Sequence, residues 1–346
     1  MSWLAVWMRA VIVPSARRAL PVWLGAGIVA AVIFGGTGMQ PHDLTQLTLH
    51  APSVAIALGV TWLLLYVPVA RLLVRDDATR FLRSLPHRSP TAIVVVALIV
   101  FQLPWLALWL VGEHVLGLVL ATAFTPIIAS VALWRPRPPH AAHVRWLGAT
   151  SALRQIYARA LVRRAGDALI RAAGLGLLAG GAAGLFVRNN QLEPEAAGVL
   201  ATAVIAVVLV PGWVAALLPL VEAHRASAWL AQSLGISEQA RLVMLGWTIW
   251  KLYVAATVIA IVPAALLLGD VPTILAVAGI ALATATALAV LVTRFVVWAE
   301  RSVAVAARVV IGALVASALA VILLGWLGGP GVVALAAVGA LAWRRA

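Results

Sequence analysis

The side chains that could do chemistry in this sequence lie almost entirely between its apolar stretches. The closest approach to a reactive cluster is Glu222, His224 and Arg225, with Asp76 and Asp77 as the carboxylates of another polar segment. A carboxylate beside an imidazole could carry out acid–base chemistry on a substrate held nearby. The simpler interpretation is that these charges orient the chain or belong to a binding segment.

Other reactive patterns are missing from the sequence. There is no cysteine, which excludes disulfides and thiolate chemistry, and none of the seven histidines belongs to a pattern that binds zinc. No GxSxG nucleophile turn and no GxxxxGK[ST] phosphate loop occurs. The sequence therefore predicts no catalytic residue, no metal site and no ATP site in this chain.

The apolar stretches contain almost no ionisable group apart from Lys251. Ion-coupled transporters usually need a buried carboxylate or histidine, so a proton-driven antiporter is disfavoured. Lys251 either extends its ammonium group to the membrane surface or contacts an acidic group of a substrate. We take Lys251, Trp105 and Trp213 as candidate residues of a substrate path.

The apolar stretches predict an integral membrane protein built from α-helices. Of the 346 residues, 64% are hydrophobic and 10% are charged, whereas roughly a quarter are charged in a soluble domain. Backbone groups in lipid must be paired internally, and the runs do not alternate as barrel strands do. Because a crossing needs about 20 apolar residues, we predict an all-α bundle of about ten spans. They are 20–38, 53–73, 91–112, 115–134, 168–187, 197–220, 246–268, 273–293, 304–326 and 329–343.

The distribution of charge predicts the orientation of these spans. A net charge of +14 would suggest nucleic acid for a soluble protein, but here the arginines lie in loops on one side. Cytoplasmic loops carry such an excess, so both termini are expected in the cytoplasm. The composition is typical of a bacterial protein, which would place it in the inner membrane. The opposite loops carry Arg188, Asp43, Glu113, Glu193, Glu195 and Asp270.

Two similar segments, 66–91 and 217–241, indicate an internal repeat with an offset of about 150 residues. Each follows an apolar span with charges, a short amphipathic stretch and a Ser-Leu pair. An even number of spans separates them, so the repeat is parallel. We therefore divide the chain into a first membrane repeat, a second one and a C-terminal pair of spans. Their ranges are 1–134, 135–293 and 294–346.

A basic amphipathic helix is predicted over 144–167, before the first span of the second repeat. We expect it to lie in the lipid headgroup layer, with Trp146 and Tyr157 as anchors. The alternative is a solvated helix that docks on protein. In the following span, the i, i+4 spacing of small residues predicts close packing on another helix, through Gly176, Gly180 and Gly184.

The stretch RDDATRFLRSLPHRSP, residues 75–90, together with its counterpart at 222–241, resembles the coupling helices of type-2 ABC exporter permeases. The resemblance implies a subunit that docks a separate cytoplasmic ATPase, usually a dimer that holds ATP and Mg²⁺. One departure is the number of spans, since the common permease has six. One chain would therefore supply both docking sites, or it would pair with a second permease chain. The implied docking residues are Asp77, Arg80, Phe81, Leu82, Arg83, Leu85, Arg225, Trp229 and Leu234.

The resemblance further implies that ATP-driven closure of the ATPase moves these segments and opens a path for an amphipathic or lipidic substrate. Two other classes fit the composition. A polytopic membrane enzyme acting on a lipid or peptide would need Glu222 and His224 as a working pair. A non-catalytic scaffold or immunity protein would need no ATPase.

Overall fold

The computed structural model describes residues 9, 13–35, 39–75, 102–124, 149–300, 302 and 304–344. Within these ranges every regular element is a helix, which confirms the all-α prediction. The chain divides into two compact units, Met1–His140 and Ala141–Ala346.

The first unit contains five α-helices among its described residues, with a π-helical turn, Ala31–Gly35, after the first of them. Proline at the first position starts α2 and α3, where its missing N–H is not needed. The helices are α1 (Val13–Ala30), α2 (Pro41–His50), α3 (Pro52–Arg75), α4 (Leu103–Val111) and α5 (Val115–Ala123).

Local hydrogen bonds join α2 to the turn between α4 and α5. The hydroxyl of Thr45 lies 3.1 Å from the carbonyl oxygen of Gly112, which leads into that turn. Glu113 adopts a left-handed φ of 56°, and His114 Nδ1 then accepts from the N–H of Gly117 at 2.7 Å. This polar turn fixes α4 and α5 as a hairpin beside α2.

The second unit begins with a basic helix and continues through apolar ones. Gly269 and Gly328 end two of these helices with positive φ, which glycine adopts without strain. The helices are α6 (Ala149–Arg164), α7 (Gly166–Asn190), α8 (Pro194–Val208), α9 (Val210–Ala226), α10 (Ala228–Ser233), α11 (Glu238–Leu268), α12 (Val271–Glu300), α13 (Val305–Leu327) and α14 (Gly331–Arg344).

Four helices of the described chain, α7, α11, α12 and α13, are long and apolar enough to cross a membrane. Two bent pairs also qualify, α8 with α9 and α2 with part of α3, which gives up to six crossings. Large apolar side chains point outward from these helices; Leu266 is 82% exposed and Trp326 is 88% exposed. Such a surface suits lipid better than water. The ten-span count and the parallel repeat stay predictions.

The glycines of α7 bring this helix close to α11. Gly176 and Gly184 pack against the backbone of α11 near Ala256 and Ala264. Between them, a methyl group on Gly180 would collide with the carbonyl oxygen of Ala260. The spacing of small residues on α7 thus places two backbones in direct contact.

The pair α8 and α9 bends by 52° at Leu209, within the predicted span 197–220. Pro211 has no N–H to donate to the preceding turn, so the helical ladder is interrupted there. At the start of α8, Glu195 Oε1 accepts from the N–H of Gly329 at 3.3 Å. One end of the bent pair is thereby joined to the turn between α13 and α14.

The prediction that Tyr157 anchors α6 in lipid headgroups is wrong. Leu153 and Tyr157 are fully buried, because α6 packs with its apolar side against α9 and α11. The exposed side carries Arg159, Arg163 and Arg164. The described part of this helix therefore agrees with the alternative of a helix docked on protein, and Trp146 lies outside the described residues.

Candidate functional site

The segment between α9 and α11 forms a compact double turn. Helix α9 ends at Ala226, and Ser227 then breaks the chain direction before the short helix α10. Gly235 has a φ of 66°, a conformation that favours glycine, and it turns the chain back. Ser237 Oγ accepts from the N–H of Ala240 at 3.2 Å and starts α11.

This double turn exposes large apolar side chains. Trp229 is 70% exposed and Leu234 is 47% exposed, with Arg225 also on the surface. We call these three residues the docking face. A tryptophan and an arginine at an exposed turn are the residue types that contribute most to protein interfaces.

Directly behind the docking face lies a buried polar group of side chains, which we call the end cluster. Its members come from four helices and the turn after α9, and their polar atoms form one connected network. The residues are Tyr157, His224, Ser227, Arg241 and Glu300.

His224 is the centre of the end cluster. Its Nδ1 lies 2.7 Å from the hydroxyl of Tyr157, and its Nε2 lies 3.4 Å from Glu300 Oε2. A neutral imidazole with its proton on Nε2 satisfies both contacts, since Nδ1 accepts from Tyr157 and Nε2 donates toward Glu300. Burial raises the pKa of Tyr157, so its hydroxyl keeps its proton and remains a donor.

Arg241 closes the network from the first turn of α11. Its Nη2 donates to the carbonyl oxygen of His224 at 2.9 Å and lies 3.7 Å from Glu300 Oε1. Ser227 Oγ donates to the same carbonyl at 3.0 Å. The carbonyl left free at the end of α9 thus receives two donors. The contacts fix the start and the end of the double turn to α12.

The polar atoms at the centre of the end cluster are occupied by contacts within the protein. His224 is buried and both of its ring nitrogens have partners, so a substrate has no access to it. Glu222, which an enzyme would need beside His224, instead faces outward and pairs with Arg164 at 3.4 Å. The described residues contain no group of three or more His, Cys, Asp or Glu side chains that could hold a metal ion.

The remaining predicted residues fall in different places. The predicted docking residues from Asp77 to Leu85 lie outside the described residues. Lys251 is exposed on α11, whereas Trp213 is buried and stacks on Tyr253 with ring centroids 4.2 Å apart. Trp105 belongs to the first unit. Lys251 and Trp213 thus differ in their exposure to the surface, and their role in a substrate path stays a prediction.

Of the five members of the end cluster, the sequence identifies only His224 as a candidate. Arg241 reads as one of the loop charges and Tyr157 as a lipid anchor, and nothing singles out Ser227 or Glu300. One signal is present, because Glu300 is a carboxylate that directly follows the short apolar run 295–299. Such groups are costly to bury without partners.

The comparisons with known proteins identify no relative: no protein-family model, no curated protein and no solved structure matches the chain.

Proposed function

We propose that the chain is the membrane-spanning subunit of an ATP-driven exporter that binds a separate cytoplasmic ATPase through its docking face. The observation that carries the proposal is the double turn between α9 and α11. It exposes Trp229 and Leu234 at the end of two apolar helices while the end cluster holds it from behind. The resemblance of 222–241 to a coupling helix supports the same assignment.

The mechanical requirement for such a segment is rigid attachment to the helices that move. The end cluster meets it, since Arg241 and His224 link the turn to Glu300 on α12. A displacement of the docking face would pass to α9, α11 and α12 together. Apolar anchors with a basic rim would suit a cleft of the ATPase that has an acidic border.

The proposal places ATP and Mg²⁺ on the partner, a cytoplasmic ABC-type ATPase that works as a dimer. A second docking segment at 75–90 would serve the other ATPase subunit, or a second permease chain would supply it. The chain would lie in a bacterial inner membrane with both termini in the cytoplasm. Its substrate would be amphipathic or lipidic.

Co-purification tests the proposal. A tagged chain is isolated from its native membrane with and without Trp229→Ala, and the bound ATPase is identified and quantified. We expect the change to weaken binding by about 2 kcal/mol or more, roughly thirty-fold in affinity. Because Trp229 is largely exposed, the variant should fold normally.

Trp326→Ala is the matched control, since Trp326 is also largely exposed but lies at the end of α13 away from the docking face. This variant should retain the ATPase. Equal retention by both variants, or an isolated chain that never carries an ATPase, would contradict the proposal. Leu85→Asp tests the second segment in the same assay.

A further inference from the structure

The side of α6 that points away from the protein carries a compact basic surface. Arg159 and Arg163 are four residues apart on this helix, a spacing that places their side chains next to each other. Val162 lies on the same side and is 66% exposed. Both arginines are also exposed. We call these three residues the arginine face.

The positive charge of the arginine face is not compensated within the described part of the chain. Neither Arg159 nor Arg163 forms an ion pair with a described residue, and the nearby carboxylate of Glu222 is paired with Arg164 at 3.4 Å. Two like charges at i and i+4 on a helix repel each other and destabilise it. An anion held between the two guanidinium groups would remove this repulsion.

The chain continues from the arginine face directly into a candidate membrane span, α7. Ala165 alone separates α6 from α7, and helical hydrogen bonds continue through it. Its N–H donates to the carbonyl oxygen of Leu161 at 2.9 Å, and its carbonyl oxygen accepts from the N–H of Leu169 at 2.7 Å. Insertion of α7 in a membrane therefore brings the arginine face close to the lipid headgroups.

We propose that the arginine face binds the phosphate group of an anionic phospholipid, with Val162 in contact with the apolar part of the same lipid. Arginine suits this role because its planar guanidinium group can donate two hydrogen bonds to one phosphate. Basic clusters that directly precede a membrane helix on its cytoplasmic side attract anionic lipids.

Val162 favours a lipid over other anions. It lies exposed beside the two arginines, and neither a soluble anion nor a nucleic-acid backbone would offer it an apolar contact. The helix would thus be oriented oppositely to the sequence prediction, since its apolar side packs on α9 and α11 and its charged side meets the lipid. This inference does not depend on the proposed ATPase.

Lipid titration of the purified full chain tests the inference. The protein in maltoside micelles is titrated with dioleoyl phosphatidylglycerol, and bound lipid is measured by native mass spectrometry. Dioleoyl phosphatidylcholine, which has no net charge, is the comparison. Arg163→Gln should lower the affinity for phosphatidylglycerol about five-fold, as expected for one arginine near a membrane surface. The affinity for phosphatidylcholine should not change.

Arg188→Gln is the matched control, because Arg188 is an exposed arginine in the last turn of α7, at the opposite end of the same helix. This variant should keep its affinity for phosphatidylglycerol. Arg163→Gln removes a repulsion in α6, so its melting temperature without added lipid should not fall. That measurement separates a lost lipid contact from a lost fold.

Several outcomes would overturn the inference. Equal loss of affinity in Arg163→Gln and Arg188→Gln would mean that the lipid responds only to the overall charge of the chain. Unchanged binding by a variant with both Arg159→Gln and Arg163→Gln would exclude the arginine face as the lipid site. If that double variant instead lost a co-purifying protein, the surface would be a protein interface. Displacement of the lipid by an equal concentration of inorganic phosphate would identify a site for soluble anions.

Discussion

His224 shows how a single buried side chain can be stabilised only by groups distant in sequence. Its ring contacts Tyr157 and Glu300, and its carbonyl oxygen receives Arg241. An imidazole removed from water needs a partner at each nitrogen, and here α6 and α12 supply them. His224 therefore links the start of the double turn to α6 and α12.

Tyr157→Phe isolates one contact of this link. The change removes the donor at 2.7 Å from His224 Nδ1 and leaves that nitrogen buried without its partner. We expect the free energy of unfolding to fall by about 1–3 kcal/mol. Thermal unfolding in detergent measures the loss.

Glu222→Gln is the control for Tyr157→Phe. It breaks the Arg164–Glu222 pair, whose two side chains are largely exposed. Such surface pairs contribute roughly 0–1 kcal/mol, so the melting temperature should change little. If the melting temperature of Tyr157→Phe were no lower than that of Glu222→Gln, the hydroxyl–imidazole contact would not contribute measurably to stability.

The end cluster also marks the limit of sequence reasoning at this scale. His224 and Arg225 could be recognised as a polar pair because they are adjacent in sequence. Nothing in the sequence relates them to position 157 or 300, since those contacts depend on how α6 and α12 pack. Arg225, the neighbour of His224, points to the surface instead.

At the scale of elements, the contact between α7 and α11 requires glycine at position 180 but not at position 181. Gly180→Ala places a methyl group against the Ala260 carbonyl oxygen, so the helices must separate. Overpacking of this kind costs typically 1–3 kcal/mol. The measurement is again thermal unfolding in detergent.

The neighbouring Gly181→Ala is a control for the same helix and the same chemical change. A Cβ at Gly181 meets nothing within 4 Å. Alanine favours a helix over glycine by about 1 kcal/mol, so this variant should be unchanged or slightly more stable. Equal destabilisation by both variants would show that helix propensity, not contact with Ala260, decides the result.

The stability of the N-terminal end of α12 depends on pH, because the carboxylate of Asp270 accepts a hydrogen bond there. Its Oδ2 accepts from the N–H of Thr273 at 3.0 Å, and hydrogen bonds with Thr273 lower the pKa of the carboxyl. A lowered pKa in the folded state means that the carboxylate stabilises the fold above its ordinary pKa. That contribution is lost as the pH falls below about 4.

Asp270→Ala tests this dependence. The variant should unfold earlier than the unmodified protein at neutral pH, and the difference should shrink as the pH is lowered through that range. Melting temperatures measured as a function of pH give the comparison. A difference that stays constant into strong acid would contradict a role for the ionised carboxyl.

The elements themselves could be predicted from hydrophobicity, but their ends and breaks could not. The predicted span 246–268 lies inside α11, which starts earlier because Ser237 caps it at Glu238. The predicted span 197–220 contains the bend at Leu209. An apolar run records burial and says little about where a helix changes direction.

At the scale of the whole molecule, the predicted orientation has a convenient test because the chain has no cysteine. Gln232→Cys, in the exposed part of α10, should react with an impermeant thiol reagent only from the cytoplasmic side. Glu193→Cys, exposed before α8, should react only from the opposite side. Labelling of right-side-out cells and inverted vesicles measures both. Labelling of the two positions from one side would contradict the charge-based topology.

Membrane character could be predicted from composition, since 64% hydrophobic residues leave too little polar surface for water. The architecture could not be predicted in the same way. Hydropathy counts apolar runs, whereas crossings depend on helix length, and α14 has only 14 residues. The segment 75–90, on which half of the resemblance rests, lies mostly outside the described residues.

The bend at Leu209 lies between two helices of the second unit, α8 and α9, each of which is held at its far end. Helix α8 is held where Glu195 meets Gly329, and helix α9 is held where His224 meets Glu300. A force applied at Trp229 would therefore change the angle between α8 and α9 rather than move one straight helix along its axis. If an ATPase binds the docking face as proposed, its closure should change the 52° angle between α8 and α9, which spin labels on the two helices would record.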